Sequence, residues 1–309
     1  MTKVVYLGAW GRSGTTVLAD LLGAHPGVFN GGEIRYLWQR GLLDRRLCGC
    51  GVRFPRCDLW RRVRQAAWHG SEPDPRHVLN LQNRVVRMRH TPRLLSDRIV
   101  DGDGDLAEYT NLLSELYRGI TEVTGASVIV DSSKYPSDAA LLPRLVGVEP
   151  YLVHMVRDPR AVAYSWQRKV VQPDRPGGSF MAGHSVAASS LNWLAVNLAM
   201  ERVARLYGAD HSRRLRYETF IADPAGQVGE LLRFLDVEPE SGPFVSNDSA
   251  VLGPNHTISG NPSRFRTGLI NLAPDLEYRT RQPIGTRRLV TTMTLPFLRR
   301  YEYPVRLGH

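Results

Sequence analysis

Gly11-Arg12-Ser13-Gly14-Thr15-Thr16 follows the apolar run Val4-Val5-Tyr6-Leu7 and opens a helical pattern, the arrangement in which backbone N–H groups converge on a phosphate. Gly11, Ser13 and Gly14 are small enough for the tight turn, and Thr15 and Thr16 set hydroxyls at the positive end of the helix dipole. A P-loop kinase carries lysine after the last glycine, then Ser or Thr on magnesium. Here Thr15 takes that lysine's position and the cation, Arg12, lies inside the loop. The chemistry offered is nucleotide binding with a fixed positive charge near the reacting end.

Two more apolar runs end in charge. Val128-Ile129-Val130-Asp131 leads into Ser132-Ser133-Lys134, and Tyr151 to Val156 leads into Arg157-Asp158-Pro159-Arg160. Ligands of open α/β sheets lie beyond the carboxyl ends of the strands, so these three ends converge on one anion site. Ser165 comes eight residues after Arg157. A helix beginning near Pro159 turns it back toward the strand end, where both side chains grip one phosphate. Arg160 reads equally as a phosphate contact or a solvated helix-start residue, and is left out of the binding set.

Alternating strand and helix signals position these ends. Helices are expected at Thr15 to Ala24, Leu106 to Val123, a segment marked by Leu191, Ala195, Ala199, Val203 and Leu206, Pro224 to Leu235 and Arg287 to Leu298. Leu215-Arg216-Tyr217 is a short strand. The pattern predicts an α/β, P-loop-like three-layer fold, a central mainly parallel sheet flanked by helices, as one domain over residues 1–309. Irregular insertions are expected at about 41–90 and 171–190 on the acceptor side, and a long loop at 242–268.

The net charge is +10, carried by 37 Arg and 3 Lys. The arginines are spread along the chain, which argues against a nucleic-acid tail and for a basic surface around a polyanion pocket. With no aromatic-basic interleaving, a nucleic-acid partner is not expected. No apolar run approaches the roughly 20 residues of a membrane helix, so no anchor and a cytoplasmic location are expected. Cys48, Cys50 and Cys57 cluster within ten residues. Without a fourth ligand or C-x2-C spacing they read as reduced thiols packing a loop, or one disulfide with a spare thiol, and no metal is assigned.

Taken together, the first loop, the Arg157 to Ser165 segment and the late basic loop resemble the sulfotransferases that use 3′-phosphoadenosine 5′-phosphosulfate (PAPS), above all the branch of the protein-tyrosine sulfotransferases and their bacterial relatives. Supporting pieces are His25-Pro26 before Gly32-Glu33, Asp131 to Lys134, Leu215-Arg216-Tyr217-Glu218 before Asp223-Pro224, and Ser259-Gly260-Asn261-Pro262 with Arg264. The resemblance implies PAPS as donor, its 3′,5′-bisphosphate (PAP) as product, no metal requirement, and a small-molecule hydroxyl acceptor such as a sugar, phenol, lipid or natural product.

By the same resemblance, Arg12, Ser13, Gly14, Thr15 and Thr16 hold the 5′-phosphosulfate, Arg12 stabilising charge on the leaving oxygen. Arg157 and Ser165 hold the 3′-phosphate, Tyr217 contacts the nucleotide, and Ser259, Gly260, Asn261 and Arg264 close over the 3′-phosphate or adenine. Glu33 is the general base, its carboxyl raised by desolvation against nearby cations, and Lys134 neutralises the moving sulfuryl group. His25 and His256 are the alternative bases, and Trp38, Trp60, Phe180 and Met181 the apolar acceptor contacts. Two other readings compete: a kinase with Asp131 near magnesium, and a non-catalytic polyanion-binding module.

Overall fold

Val4 to Leu7 of β1 (Thr2–Gly8) are completely buried, as a strand must be when helices cover both faces of a parallel sheet. In the computed structural model, which describes residues 1–96, 104–175, 179–239 and 242–305, β1 is the middle of five parallel strands. The others are β2 (Val28–Gly32), β3 (Val128–Lys134), β4 (Val148–Val156) and β5 (Ser212–Arg216), in the order β2-β3-β1-β4-β5. A small antiparallel sheet joins β6 (Phe244–Ser246), β7 (Ser249–Leu252) and β8 (Gly268–Asn271).

The two-residue period of β1 divides the core. Val4 and Tyr6 face one layer and Val5 and Leu7 the other. The second layer is built from α1 (Thr15–Leu22), whose Leu18, Leu21 and Leu22 point inward, with further helices from the C-terminal half. The first receives α2 (Asp58–Trp68), α3 (Pro75–Val85), α4 (Thr91–Leu94), α5 (Gly104–Thr124) and α6 (Pro136–Leu141). Beyond β4 come α7 (Pro159–Gln167) and α8 (Val186–Tyr207). Then α9 (Tyr217–Ala222) and α10 (Pro224–Phe234) cover the α1 face, and α11 (Glu277–Arg281) and α12 (Ile284–Arg300) close the chain. No described helix is long and apolar enough to cross a membrane.

Several expectations need correction. The stretch 41–90 is not irregular: α2 buries Trp60, Val63 and Ala67, a helical stripe obscured in the sequence by its arginines. Within 242–268 the chain forms β6 and β7 rather than one loop. The buried face of α8 is Trp193, Val196, Met200 and Val203, whereas Leu191 and Leu206 are exposed. Tyr217 begins α9 instead of ending a strand. β2 went unpredicted because Val28-Phe29-Asn30-Gly31-Gly32 holds only two apolar residues. Of the expected insertion at about 171–190, residues 176–178 lie outside those described, and α8 already begins at Val186.

Gly119 of α5 marks the closest approach of α2. A Cβ there would stand 2.9 Å from Val63 O, Ala67 N and Ala67 Cβ. Helix propensity alone favours alanine by about 1 kcal/mol, but here backbone has to shift, an overpacking cost of about 1–3 kcal/mol. We therefore expect Gly119→Ala to lower the midpoint of denaturant unfolding; a raised midpoint would show that propensity outweighs the contact.

Candidate active site

The carboxyl ends of the central strands open onto a cavity of about 690 Å³, within the range of ligand sites. Register breaks aim the chain into it. The β1–β3 pairing shifts between Tyr6 and Gly8, and the β2–β3 pairing between Asn30 and Gly32. Lys134 takes a left-handed φ of 76° and Gly32 one of 71°. A Cβ on Gly32 would lie 2.8 Å from Ser259 O, so the glycine is needed there. Asn30 fixes the turn, accepting from Gly32 N at 2.9 Å and donating to Asp20 at 2.9 Å. Burial, only partly offset by Arg264 and Asn30, pushes the Asp20 carboxyl up to about 7.

These turns bring Glu33 and Lys134 together. The ammonium of Lys134 donates to Glu33 Oε1 and, at 3.0 Å, to Ser132 O. Arg40 Nη1 donates to Glu33 Oε2 at 3.2 Å and to Ser259 Oγ at 2.7 Å, its guanidinium 3.5 Å from the Tyr36 ring centroid. Burial pushes the Glu33 carboxyl up, but Lys134 and Arg40 outweigh it, and the carboxyl ends below its ordinary value. The sequence expectation of a raised carboxyl is corrected: the nearby cations, Lys134 and Arg40, outweigh desolvation.

At the other end, Arg12 sits at φ 71° in the first loop and donates through Nε to Ser165 Oγ at 3.0 Å. Arg157 Nη1 donates to Arg12 O at 3.0 Å, its Nη2 to Asp275 at 3.2 Å, and its guanidinium stacks 4.3 Å from the Tyr217 centroid. Its Nε is buried without a partner, a donor free for an anion. Asp275 also accepts from Arg168 at 2.6 Å. Desolvation, then repulsion by Arg168 and Arg157, pulls Arg12 down to about 10, still protonated at neutral pH. Gly14, at φ 93°, cannot carry a Cβ without meeting the Tyr217 ring at 2.6 Å.

Arg12, Gly14, Thr15, Thr16, Glu33, Lys134, Arg157, Ser165, Tyr217, Gly260 and Asn261 all line this one cavity. Ser13 instead turns its hydroxyl back to Trp10 O at 2.7 Å, and Ser259 reaches the site through Arg40. Arg264 is placed elsewhere: only 1% exposed, it donates to Thr257 O and Leu47 O, and Arg266 of the same segment lines the cavity instead. Arg160 is buried in a fork with Asp158 rather than solvated.

His25 has both ring nitrogens buried without partners and packs against Gly242, while His256 faces Cys48 and Cys57. Neither lines the cavity. Trp38 and Trp60 are core, Phe180 is exposed, and Met181 alone of those four reaches the cavity. Asp131 accepts from Tyr117 at 2.7 Å and Ser133 N at 2.8 Å and is 3% exposed, so the carboxylate that the kinase reading needs does not line the cavity.

Sequence reasoning missed Arg40, Arg168 and Asp275, which belong to no motif, and a wall of Trp10, Trp166 and His184. Their ring centroids lie 4.5–5.6 Å apart. Trp166, next to Ser165 in the chain, was the detectable one.

Residues 4–241 match the profile of the sulfotransferase family. The chain resembles the solved sulfotransferase domain of the olefin synthase from Synechococcus PCC 7002 at 18% identity, over 98% of this chain and 95% of that one, with a TM-score of 0.52. It also resembles the sulfotransferase domain from the curacin biosynthetic pathway at 14% identity, over 99% of both chains, with a TM-score of 0.53. At these identities the likeness is one of fold, with the same α/β architecture. No curated protein sequence gives a significant match. A family match spanning most of the chain, on the fold described, makes this protein a member of the sulfotransferase family and an enzyme of sulfuryl transfer.

Proposed function

We propose that PAPS is the donor and a hydroxyl of a small molecule the acceptor, with direct in-line transfer. The observation that carries this reading is the pair of anion-binding groups at the rim of one cavity, Arg12 with its loop and Arg157 with its unpartnered Nε, with Glu33 and Lys134 lining the same space. PAPS carries a 5′-phosphosulfate and a separate 3′-phosphate, which need two such groups. Arg157 would hold the 3′-phosphate, assisted by Ser165, with Tyr217 beneath the guanidinium. The loop N–H groups with Thr15 and Thr16 would hold the 5′ end, and Gly260 and Asn261, the latter donating from its backbone to Thr16 Oγ1 at 3.4 Å, close the mouth.

In the transfer, the acceptor oxygen forms a bond to sulfur as the bond from sulfur to the 5′-phosphate oxygen breaks. Glu33 takes the acceptor proton, and Arg12 and Lys134 stabilise the charge that develops. Arg12 stays charged and acts electrostatically, not as a proton donor. In the free enzyme Lys134 is spent on Glu33. Its shift toward a bound sulfuryl group would strengthen the carboxylate as a base, so the donor itself prepares the proton acceptor. The solved relatives named above serve an olefin synthase and a biosynthetic pathway, which supports a small-molecule acceptor. The wall of Trp10, Trp166 and His184, with Met181, supplies contact for it.

Labelled sulfate transfer from PAPS across an acceptor panel tests the reading. Arg12→Ala and Glu33→Gln should each abolish transfer, with Glu33→Gln still binding PAP in calorimetry; wild-type turnover by Glu33→Gln would remove Glu33 as base. The ionised carboxylate is the active form, so kcat/KM for the donor, which reports the free enzyme, should fall only as pH drops through the depressed Glu33 value. Arg40→Met removes one depressing charge and should move that acid limb to higher pH; an unmoved limb assigns the titration to another group. Asp275 competes with an anion for Arg157, and Asp275→Asn should tighten PAP binding by about two- to fivefold, the scale of one partly exposed ion pair. Weaker binding would mean that Asp275 instead holds Arg157 in position.

A further inference from the structure

Away from the cavity, three cysteines and a histidine meet with nothing in sulfuryl transfer to employ them. The sulfur atoms of Cys48, Cys50 and Cys57 and one ring nitrogen of His256 all lie within 4.8 Å of one another. His256 Nδ1 is 3.3 Å from Cys57 Sγ and 3.8 Å from Cys48 Sγ, and Cys50 Sγ is 3.9 Å from Cys57 Sγ. Tetrahedral ligands at about 2.3 Å for sulfur and about 2.0 Å for nitrogen stand about 3.8 Å apart sulfur to sulfur and about 3.5 Å sulfur to nitrogen. Three of the six separations, 3.3, 3.8 and 3.9 Å, are close to those of a closed ligand set, the rest lie within 4.8 Å, and the cysteines are free thiols rather than disulfides.

From this geometry we propose that Cys48, Cys50, Cys57 and His256 form a structural zinc site that fastens the segment after Arg40 to the segment before Ser259. Three thiols and one imidazole give the closed Cys3His set that leaves no position for a substrate. Binding replaces the thiol protons with the metal and releases up to three of them. Backbone N–H groups of Cys50 and Trp60 point at the sulfurs of Cys48 and Cys57. Trp60 Nε1 donates to His256 O at 2.6 Å, fixing the ligand's backbone. Buried Arg264 is close enough to interact with the charge of Cys48, offsetting the net negative charge of three thiolates around a divalent ion.

The two segments already touch as a staple requires. Gly49 N donates to Thr257 O at 3.0 Å, and a side chain on Gly49 would collide with Asn255 at 1.9 Å. Three residues past His256, Ser259 accepts from Arg40 and its carbonyl accepts from Glu33 N at 3.3 Å. The zinc would thus hold the strand of contacts that positions Glu33 and Arg40. Ligands nearly 200 residues apart in sequence close a long loop, whose entropy the metal removes from the unfolded chain.

Elemental analysis of the full-length protein, expressed with zinc in the medium and gel-filtered, should give about one zinc per chain, and X-ray absorption a shell of three sulfurs and one nitrogen. Cobalt exchange should produce thiolate-to-metal charge-transfer bands and the intense visible bands of a tetrahedral centre. His256→Cys should keep the metal with a four-sulfur shell, whereas His256→Ala should lose it. If the alanine variant does not fold, the wild-type stoichiometry and cobalt spectrum decide alone. Zinc below about a tenth of an equivalent with no cobalt bands, or an intact mass two hydrogens short from a Cys50–Cys57 disulfide, would overturn the site. A melting temperature unchanged after chelation would overturn its structural role.

Discussion

The contact on which the rest of the site depends is the buried cluster of Glu33, Lys134 and Arg40. It joins the end of β2, the end of β3 and a π-helical turn at Leu37–Leu43, and the neighbouring Arg35–Asp138 ion pair at 2.6 Å reinforces the same junction. Removing Glu33 leaves two facing cations without their carboxylate, a cost of several kcal/mol where they are held out of water. Both strands must break register at the same level to bring the cluster together, and the Asn30–Asp20 pair, buried one layer below, keeps β2 from relaxing. Ser259 then attaches the late segment to the same point through Arg40. A loop from the last third of the chain is thereby tied to a strand from the first tenth.

The opposite rim follows a different logic. Arg12, Arg157 and Arg168 crowd together, and their mutual repulsion is relieved chiefly by Asp275, with Glu277 also reaching Arg168 at 3.5 Å. Both rims hold more cations than carboxylates, which draws a polyanionic ligand to the cavity before any specific contact forms. The stack of Arg157 on Tyr217, with Gly14 pressed against that ring, links the first loop to α9 through packing rather than charge.

Much of this was legible in the sequence because parallel strands advertise themselves. A run such as Val4 to Leu7 has few alternatives to a doubly covered strand, and a glycine-rich turn after it has a limited repertoire. Arg157 and Ser165 were readable because helix geometry fixes their separation within one segment. Arg40, Asp275 and Arg266 were not, since each is one charged residue among many and only the tertiary fold selects it. Arg264 shows the same limit from the other side: the segment was identified, but a shift of two residues exchanges the buried guanidinium for the one at the cavity. The cysteines lacked a fourth partner in the local sequence because that partner, His256, lies 199 residues beyond Cys57.

Arg12 and Lys134, the two cations nearest the proposed chemistry, both occupy left-handed backbone at φ 71° and 76°, where residues with a Cβ are disfavoured by about 1–2 kcal/mol. At such positions glycine would relax the backbone while deleting the charge. Stability and activity are thus set against each other at two individual residues, and selection for thermal tolerance alone would erode the enzyme at its centre.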